Sequence, residues 1–409
     1  MTGTVPAGRG RGSVRPAVDD LPELPYYDPE LRGPRFHEVV HALAAEHWLA
    51  RFPLGYVVLD REAGEFFLRS RSTTFPGRTV AEVFGVTGGP LREEIDRNIL
   101  HIDGPQHGRL RGLVNHAFTP KAADRWRPVI REAIAETFAP LVPPCDVVAE
   151  LCKPYPARVV ATVVGAPVDD AHRLAEWSNW IQRQFSADFV EHRERIEQAC
   201  AEMYEYLWAL LARRRAEPAD DLLGTLLAVP DLTDDEVVNL VLNVLVGGVD
   251  TTQSQLAQAL RLFAEHPDQW ALLAGDPSLA PRAVEEVLRH EPVTPFTARI
   301  CTDDLSFRGV DFPRDTVVLV ASLAANHEGV DGGFDITAER DARRALTFGA
   351  GIHYCLGANL ARAELQESLA FLAPRMPGLA LAGEPGYDSP QGIYGLSSLP
   401  LRWDAPAPA

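Results

Sequence analysis

The stretch from Thr233 to Glu265 carries the most distinctive pattern in the chain. Apolar side chains surround its first half (Val237, Val238, Leu240, Val241, Leu242, Val244, Leu245, Val246), as in a helix enclosed by protein on all sides. Thr233 and Glu236 stand at capping-box spacing, so the pattern predicts one helix of roughly 30 residues that crosses a whole domain at ~1.5 Å per residue. Helical periodicity also marks Asp169 to Gln184, Val190 to Arg215 and most of Lys121 to His290. Before this region Trp48 to Asp60 is apolar and β-rich, with a helix-like run at Arg61 to Arg69; after it come short β-like runs at Leu305 to Phe307 and Thr316 to Val320. A loop-rich stretch from His327 to Ala345 precedes a last helix, Ala358 to Leu372, and a hairpin-like end. The pattern predicts a mainly α fold with small β-sheets. Residues 1–35, dominated by Gly, Pro and Arg without periodicity, read as a flexible leader to one domain over 36–409.

Charge and composition narrow the function. Lys and Arg number 39 against 57 Asp and Glu, a net charge of −18, which repels phosphate backbones and argues against nucleic acid as a partner. Five scattered cysteines do not form a disulfide framework and fit a reducing cytoplasm. The longest apolar stretch, Val237 to Val249, is broken by Asn239 and Asn243 and is too short to span a bilayer. No membrane association is expected.

Two local features carry chemistry. Gly247 and Gly248 are adjacent in the middle of the long helix, at about 1 kcal/mol each. Either another helix crosses there or something must approach the backbone. Second, Phe348 to Gly357 form a glycine-studded loop that places Cys355 where the last helix begins. Free N–H groups and the helix dipole stabilise a thiolate at that position. A dinucleotide loop would need glycine where Tyr354 stands, and His353 with Cys355 lacks two further ligands for zinc.

The run Phe348, Gly349, Gly351, His353, Cys355, Gly357 resembles the haem-binding signature of the cytochrome P-450 family and matches it completely. The resemblance implies haem b (iron protoporphyrin IX) with Cys355 as axial ligand, lying between the long distal helix and the helix after the cysteine loop. A thiolate ligand favours O–O cleavage. Three further motifs follow the family's order. Asp250 and Thr251, after the glycine pair, resemble its oxygen-activating acid and alcohol, with the helix loosened there to admit dioxygen. Thr252 is turned about 100° away. Glu286 and Arg289 resemble its buried E-x-x-R pair, joined by Arg340. Asp103 to Arg111 resembles its D-P-P-x-H-x-x-x-R segment with Gly104 for the first proline, so His107 and Arg111, with Arg299 and His353, are implied as propionate ligands.

The activity implied is monooxygenation by hydroxylation or epoxidation, with electrons from a ferredoxin and its reductase because no flavin or nicotinamide domain is present. Arg340, Arg343, Arg344 and Arg362 are candidates to steer that partner to the cysteine face. Radical coupling or ring closure without oxygen insertion is an alternative; a non-catalytic haem-binding module fits the intact motifs less well. Asn239, Asn243, Gly247 and Thr251 recur every four residues on one helix face, so Asn243, Val246 and Gly247 are candidate pocket residues, Asn243 as a donor to a substrate oxygen. Family placement adds Phe84, Trp180, Val293, Phe296, Ile393 and Tyr394. This lining suits a bulky, largely neutral small molecule.

Overall fold

The computed structural model describes residues 20–186, 188–330, 333–340 and 345–404. Its axis is the helix Asp234–Glu265, 32 residues long, opened by the expected capping box: Glu236 N donates to Thr233 Oγ1 at 3.2 Å and Thr233 N to Glu236 Oε2 at 3.0 Å. Helices Pro154–Val164, Ala171–Gln182 and Arg193–Ala216 pack around it. Helix Ala358–Leu372, which follows the cysteine, packs on Arg127–Phe138 and on Ala280–His290. The apolar runs of these helices interlock in one large core that includes Val238, Leu242, Leu245 and Val249.

A five-stranded sheet flanks the helices, in the order Leu49–Phe52, Gly55–Val58, Val317–Ala321, Phe296–Cys301, Thr73–Thr74. Its second and third strands run parallel, with Val57 opposite Leu319; the other pairs are antiparallel. The two parallel strands are rich in valine, which suits a pleated, buried surface. Helix Arg61–Arg69 lies on this sheet and starts where Asp60 accepts from Ala63 N at 2.8 Å.

The leader boundary is corrected. Leu24 and Leu31 are fully buried, and Leu24 N and Arg51 N donate to Arg51 O and Pro22 O, each at 2.8 Å. Ordered chain therefore begins before Phe36, because apolar Leu24, Tyr26 and Leu31 fill a core shared with Phe36, Phe52 and Phe296. Residues 1–19 of the expected leader lie outside the described residues.

Candidate active site

The cysteine loop is built by backbone closure. Cys355 N donates to Phe348 O at 3.0 Å, drawing the two ends together. Gly351 has φ of +73°, and a Cβ there would lie 2.6 Å from Leu68 O, so only glycine lets the loop press against helix Arg61–Arg69. A Cβ at Gly349 or Gly357 would meet nothing within 4 Å. The Arg362 guanidinium lies 4.6 Å from the centroid of the Phe348 ring, donates to Glu285 Oε1 at 2.5 Å and to Tyr354 OH at 3.2 Å. Arg111 donates to the Tyr354 carbonyl.

Cys355 alone among the five cysteines is exposed, yet it sits deep among protein atoms, as a group fronting a recess does. Burial pushes its thiol up, while the N–H groups of Gly357 and Ala358 and the charges of Arg111 and Arg362 pull it down. Every one of these opposing contributions favours thiolate.

Four basic side chains converge beside this loop. His107, 3% exposed on helix Gly104–Val114, has its ring centroid 4.5 Å from that of His353. His353 Nε2 lies 2.8 Å from Asp103 Oδ1, and Thr74 donates to the same carboxylate. Arg299 is 3% exposed and donates to the Ala298 carbonyl at 2.8 Å. Burial brings its guanidinium down to about 10, against the pull of Asp103. Burial, then His353 and Arg111, bring His107 down to about 4. A buried guanidinium with no ion pair among the described residues is costly unless an anion reaches it. This donor set, with excess positive charge, suits the two carboxylates of haem.

The central helix differs in one respect from expectation. It is continuous α-helix through Gly247 to Thr252, and Thr251 Oγ1 donates to Gly247 O at 2.6 Å, so no loosened turn is present. The hydroxyl bridges one turn of the helix instead of opening it. The glycine pair divides two functions. A Cβ on Gly248 would meet Val160 at 3.4 Å, a helix crossing, whereas one on Gly247 would meet nothing within 4 Å. Asp250 accepts from Gln253 Nε2 at 2.6 Å, and the same amide lies 3.3 Å from Asn179 Oδ1. Burial, with Asp388 adding, lifts the Asp250 carboxyl to about 6 against Gln253 and Lys153. Thr252 is buried.

Glu286, Arg289 and Arg340 are brought together. Arg289 grips Glu286 with two bonds of 2.8 and 2.7 Å, and Arg340 adds bonds of 2.8 Å to Oε1 and 3.3 Å to Oε2. Asp335 N donates to the same carboxylate at 3.1 Å.

The sequence profile described as Cytochrome P450 matches residues 168–273 and 278–329. Luteothin monooxygenase of Streptomyces thioluteus is 35% identical over 404 residues, 96% of this chain and 98% of its own. The chain belongs to the cytochrome P450 family. Another relative, 6-deoxyerythronolide B hydroxylase of Saccharopolyspora erythraea, is 34% identical over 332 residues, 77% of this chain and 80% of that one. The solved structure of CalO2 superposes with a TM-score of 0.84 at 33% identity and covers 91% of this chain and 96% of its own. This cytochrome P450 is thus a monooxygenase that uses O2, a haem on a cysteine thiolate and electron-transfer partners to oxidise a small molecule. None of its described helices is long and apolar enough to cross a membrane.

The substrate-pocket expectations for this P450 divide. Gly247 and Thr251 keep accessible surface, Val246 and Val293 are buried, and Ile393 is half-buried. Phe296 and Tyr394 belong to the sheet-side core, where Tyr394 OH accepts from Gly33 N at 2.7 Å. Trp180 is flanked by Arg183, Arg195 and His192. Phe84, 48% exposed, packs edge-on to Phe189. These four aromatics serve packing or the outer surface, because core and pocket draw on the same residue types. Asn243 Oδ1 accepts from Ile99 N at 3.1 Å and its amide nitrogen is buried without a partner, so the carboxamide ties the central helix to the 99 segment and offers no accessible donor. Asn239 is bonded to Tyr204. Of the steering arginines, Arg340 and Arg362 are engaged by Glu286 and Glu285, while Arg343 and Arg344 lie outside the described residues.

Sequence reasoning missed Asp103 as the partner of His353, although it heads the quoted motif, and missed Glu94, Asn98 and His101 altogether. His101 is buried, stacked on Phe75 at 5.2 Å, and its Nδ1 meets Ile95 O at 2.8 Å.

Proposed function

We propose that this P450 binds haem b through Cys355 and hydroxylates or epoxidises a bulky, largely neutral metabolite in natural-product biosynthesis. The observation that carries the reading is Cys355, exposed at the start of helix Ala358–Leu372, where the Gly357 and Ala358 N–H groups and the charges of Arg111 and Arg362 oppose the burial that raises its thiol. Haem held by a thiolate supplies oxygen binding and O–O cleavage.

The chain's own residues do the rest. His107, Arg111, Arg299 and His353 would hold the two propionates, the arginines as cations and the histidines as hydrogen-bond donors. Gly349 and Gly357 leave room beside the backbone that haem would use, and Phe348, held under Arg362, packs in the same loop. Asp250, poised at about 6, holds a proton on the acid side of neutrality and passes it towards Thr251. Thr251 holds its hydroxyl over the recess with its hydrogen on Gly247 O. Glu286, Arg289 and Arg340 brace residues 333–340 ahead of the cysteine loop. The electron donor is a ferredoxin reduced by its reductase, and the enzyme works in the cytoplasm. Relatives named luteothin monooxygenase and 6-deoxyerythronolide B hydroxylase support oxygen insertion into a natural product.

The test reconstitutes the protein with haem, ferredoxin and reductase and titrates polyketide and terpenoid candidates while following the Soret band. A shift to shorter wavelength, followed by a product heavier by one oxygen, supports the reading. Failure to form a thiolate-type carbon monoxide spectrum overturns it; a product without added oxygen favours coupling.

A further inference from the structure

Asp103 stands at the N-cap of helix Gly104–Val114 in extended conformation, with φ of −125° and ψ of 179°, yet its side chain accepts nothing from that helix. An aspartate at this position ordinarily caps the free N–H groups of the first turn. Here both carboxylate oxygens are turned elsewhere. Oδ1 lies 2.8 Å from His353 Nε2, and Oδ2 accepts from Thr74 Oγ1. A carboxylate only accepts, so His353 donates through Nε2 and its ring is fixed in orientation.

These two bonds run to the elements that carry the whole basic cluster. His107 and Arg111 lie on the helix that Asp103 opens. Arg299 lies on strand Phe296–Cys301, whose Ile300 is paired with Thr74 of the neighbouring strand. His353 belongs to the cysteine loop, and Arg111 donates to the carbonyl of Tyr354 next to it. One side chain therefore ties the helix, the strand pair and the loop together.

Charge points the same way. Among the described residues Asp103 is the one carboxylate bonded to any of the four basic side chains, and it also acts through space on Arg299 and His107. Like charges gathered without a counter-charge repel one another. The pair sits at the rim of the cluster, with the His353 side chain 6% exposed and that of Asp103 37% exposed. A half-exposed pair of this kind has a severalfold effect on an equilibrium, not a hundredfold one.

We propose that Asp103 is a positioning residue that assembles the basic cluster before the cofactor arrives, holding the cysteine loop to the helix and the strand pair through His353 and Thr74 instead of capping its own helix. The proposal rests on the reading of this cluster as the site of the two haem carboxylates.

Hydrogen exchange of residues 349–357 and 104–114, followed in the haem-free chain, reads the assembly. Transfer of haem from the loaded protein to apomyoglobin reads its consequence. Asp103→Ser keeps a hydroxyl that can cap the helix but is too short to reach His353. It should speed exchange in the loop severalfold and release haem roughly fivefold faster, while exchange in helix Gly104–Val114 is no faster than in wild type. Asp103→Asn, which can still accept from His353 and donate to Thr74, should fall between the two. Wild-type loop exchange in Asp103→Ser overturns the proposal, and so does loop exchange that rises without any change in haem release. A wild-type protein that lacks the thiolate-type carbon monoxide spectrum would count against the haem reading instead, and the exchange comparison would still decide whether Asp103 holds the loop.

Discussion

Asp250 and Gln253 stand one turn apart on the central helix, and the Gln253 amide donates to the Asp250 carboxylate at 2.6 Å while Thr251 beside it donates to Gly247 O. The acid and the alcohol thus have separate partners, and neither is spent on the other. With Asp250 lifted to about 6 by burial, turnover should show a limb near that pH that Asp250→Asn removes. The same substitution should stabilise the fold above about pH 6, by at most roughly 3 kcal/mol, because it deletes a buried charge. Below the ordinary aspartate value the acid is protonated in both folded and unfolded chains, so the gain should vanish. Denaturant unfolding at pH 8 and pH 4 checks both signs.

Arg299 is a buried cation without an ion pair among the described residues. Arg299→Leu should leave the haem-free chain at least as stable as wild type, since no charge is then desolvated. The haem-loaded protein should lose affinity for its cofactor by tenfold or more, on the order of 1.4 kcal/mol. Thermal unfolding with and without haem, together with transfer of haem to a scavenger, separates the two effects; equal losses in both forms would assign Arg299 to packing alone.

Glu286 balances two guanidinium groups. Burial opposes its charge, but Arg289 and Arg340 outweigh burial and hold its carboxyl below the usual range. Its contribution is present above the ordinary glutamate value and is lost as pH falls through the depressed one. Glu286→Gln should cost on the order of 3 kcal/mol, since the buried Arg289 and the partly exposed Arg340 lose their counter-charge, and soluble yield should fall with it. Equilibrium denaturation at neutral pH tests the magnitude.

Gly247 has free space where a side chain would stand, and Gly248 has Val160. Gly247→Ala should raise helix stability by about 1 kcal/mol while weakening binding of bulky ligands to the recess. A larger residue at Gly248 should destabilise by pressing on Val160, with little direct effect on ligands. Melting temperature and Soret titration on the same samples distinguish the pair.

Local chemistry explains what the sequence made legible. Asp60 at the head of Arg61–Arg69, the Thr233 and Glu236 box, and the Cys355 loop each lie within a few residues, so cap, period and ligand are visible together. Other features depend on distant partners. Leu24 and Leu31 sit in a proline-rich stretch and acquire meaning only against Phe52 and Phe296. Phe296 and Tyr394 read as pocket residues in the sequence because an aromatic carries no mark of whether it faces ligand or core, and only the packing against Phe36 and Tyr26 decides it. Glu94 on a short polar helix resembles any surface acid until helix Arg193–Ala216 and Gln184 close over it.

The parallel pairing of Gly55–Val58 with Val317–Ala321 has a consequence for biosynthesis. A nascent chain makes the first strand early and must wait for most of the remainder before its partner emerges, and Asp103 waits 250 residues for His353. Such distant pairings form slowly and leave an unpaired strand exposed to other chains meanwhile. Ribosome-bound chains that stop before Cys355 would capture no haem at all, so cofactor loading belongs to the finished polypeptide.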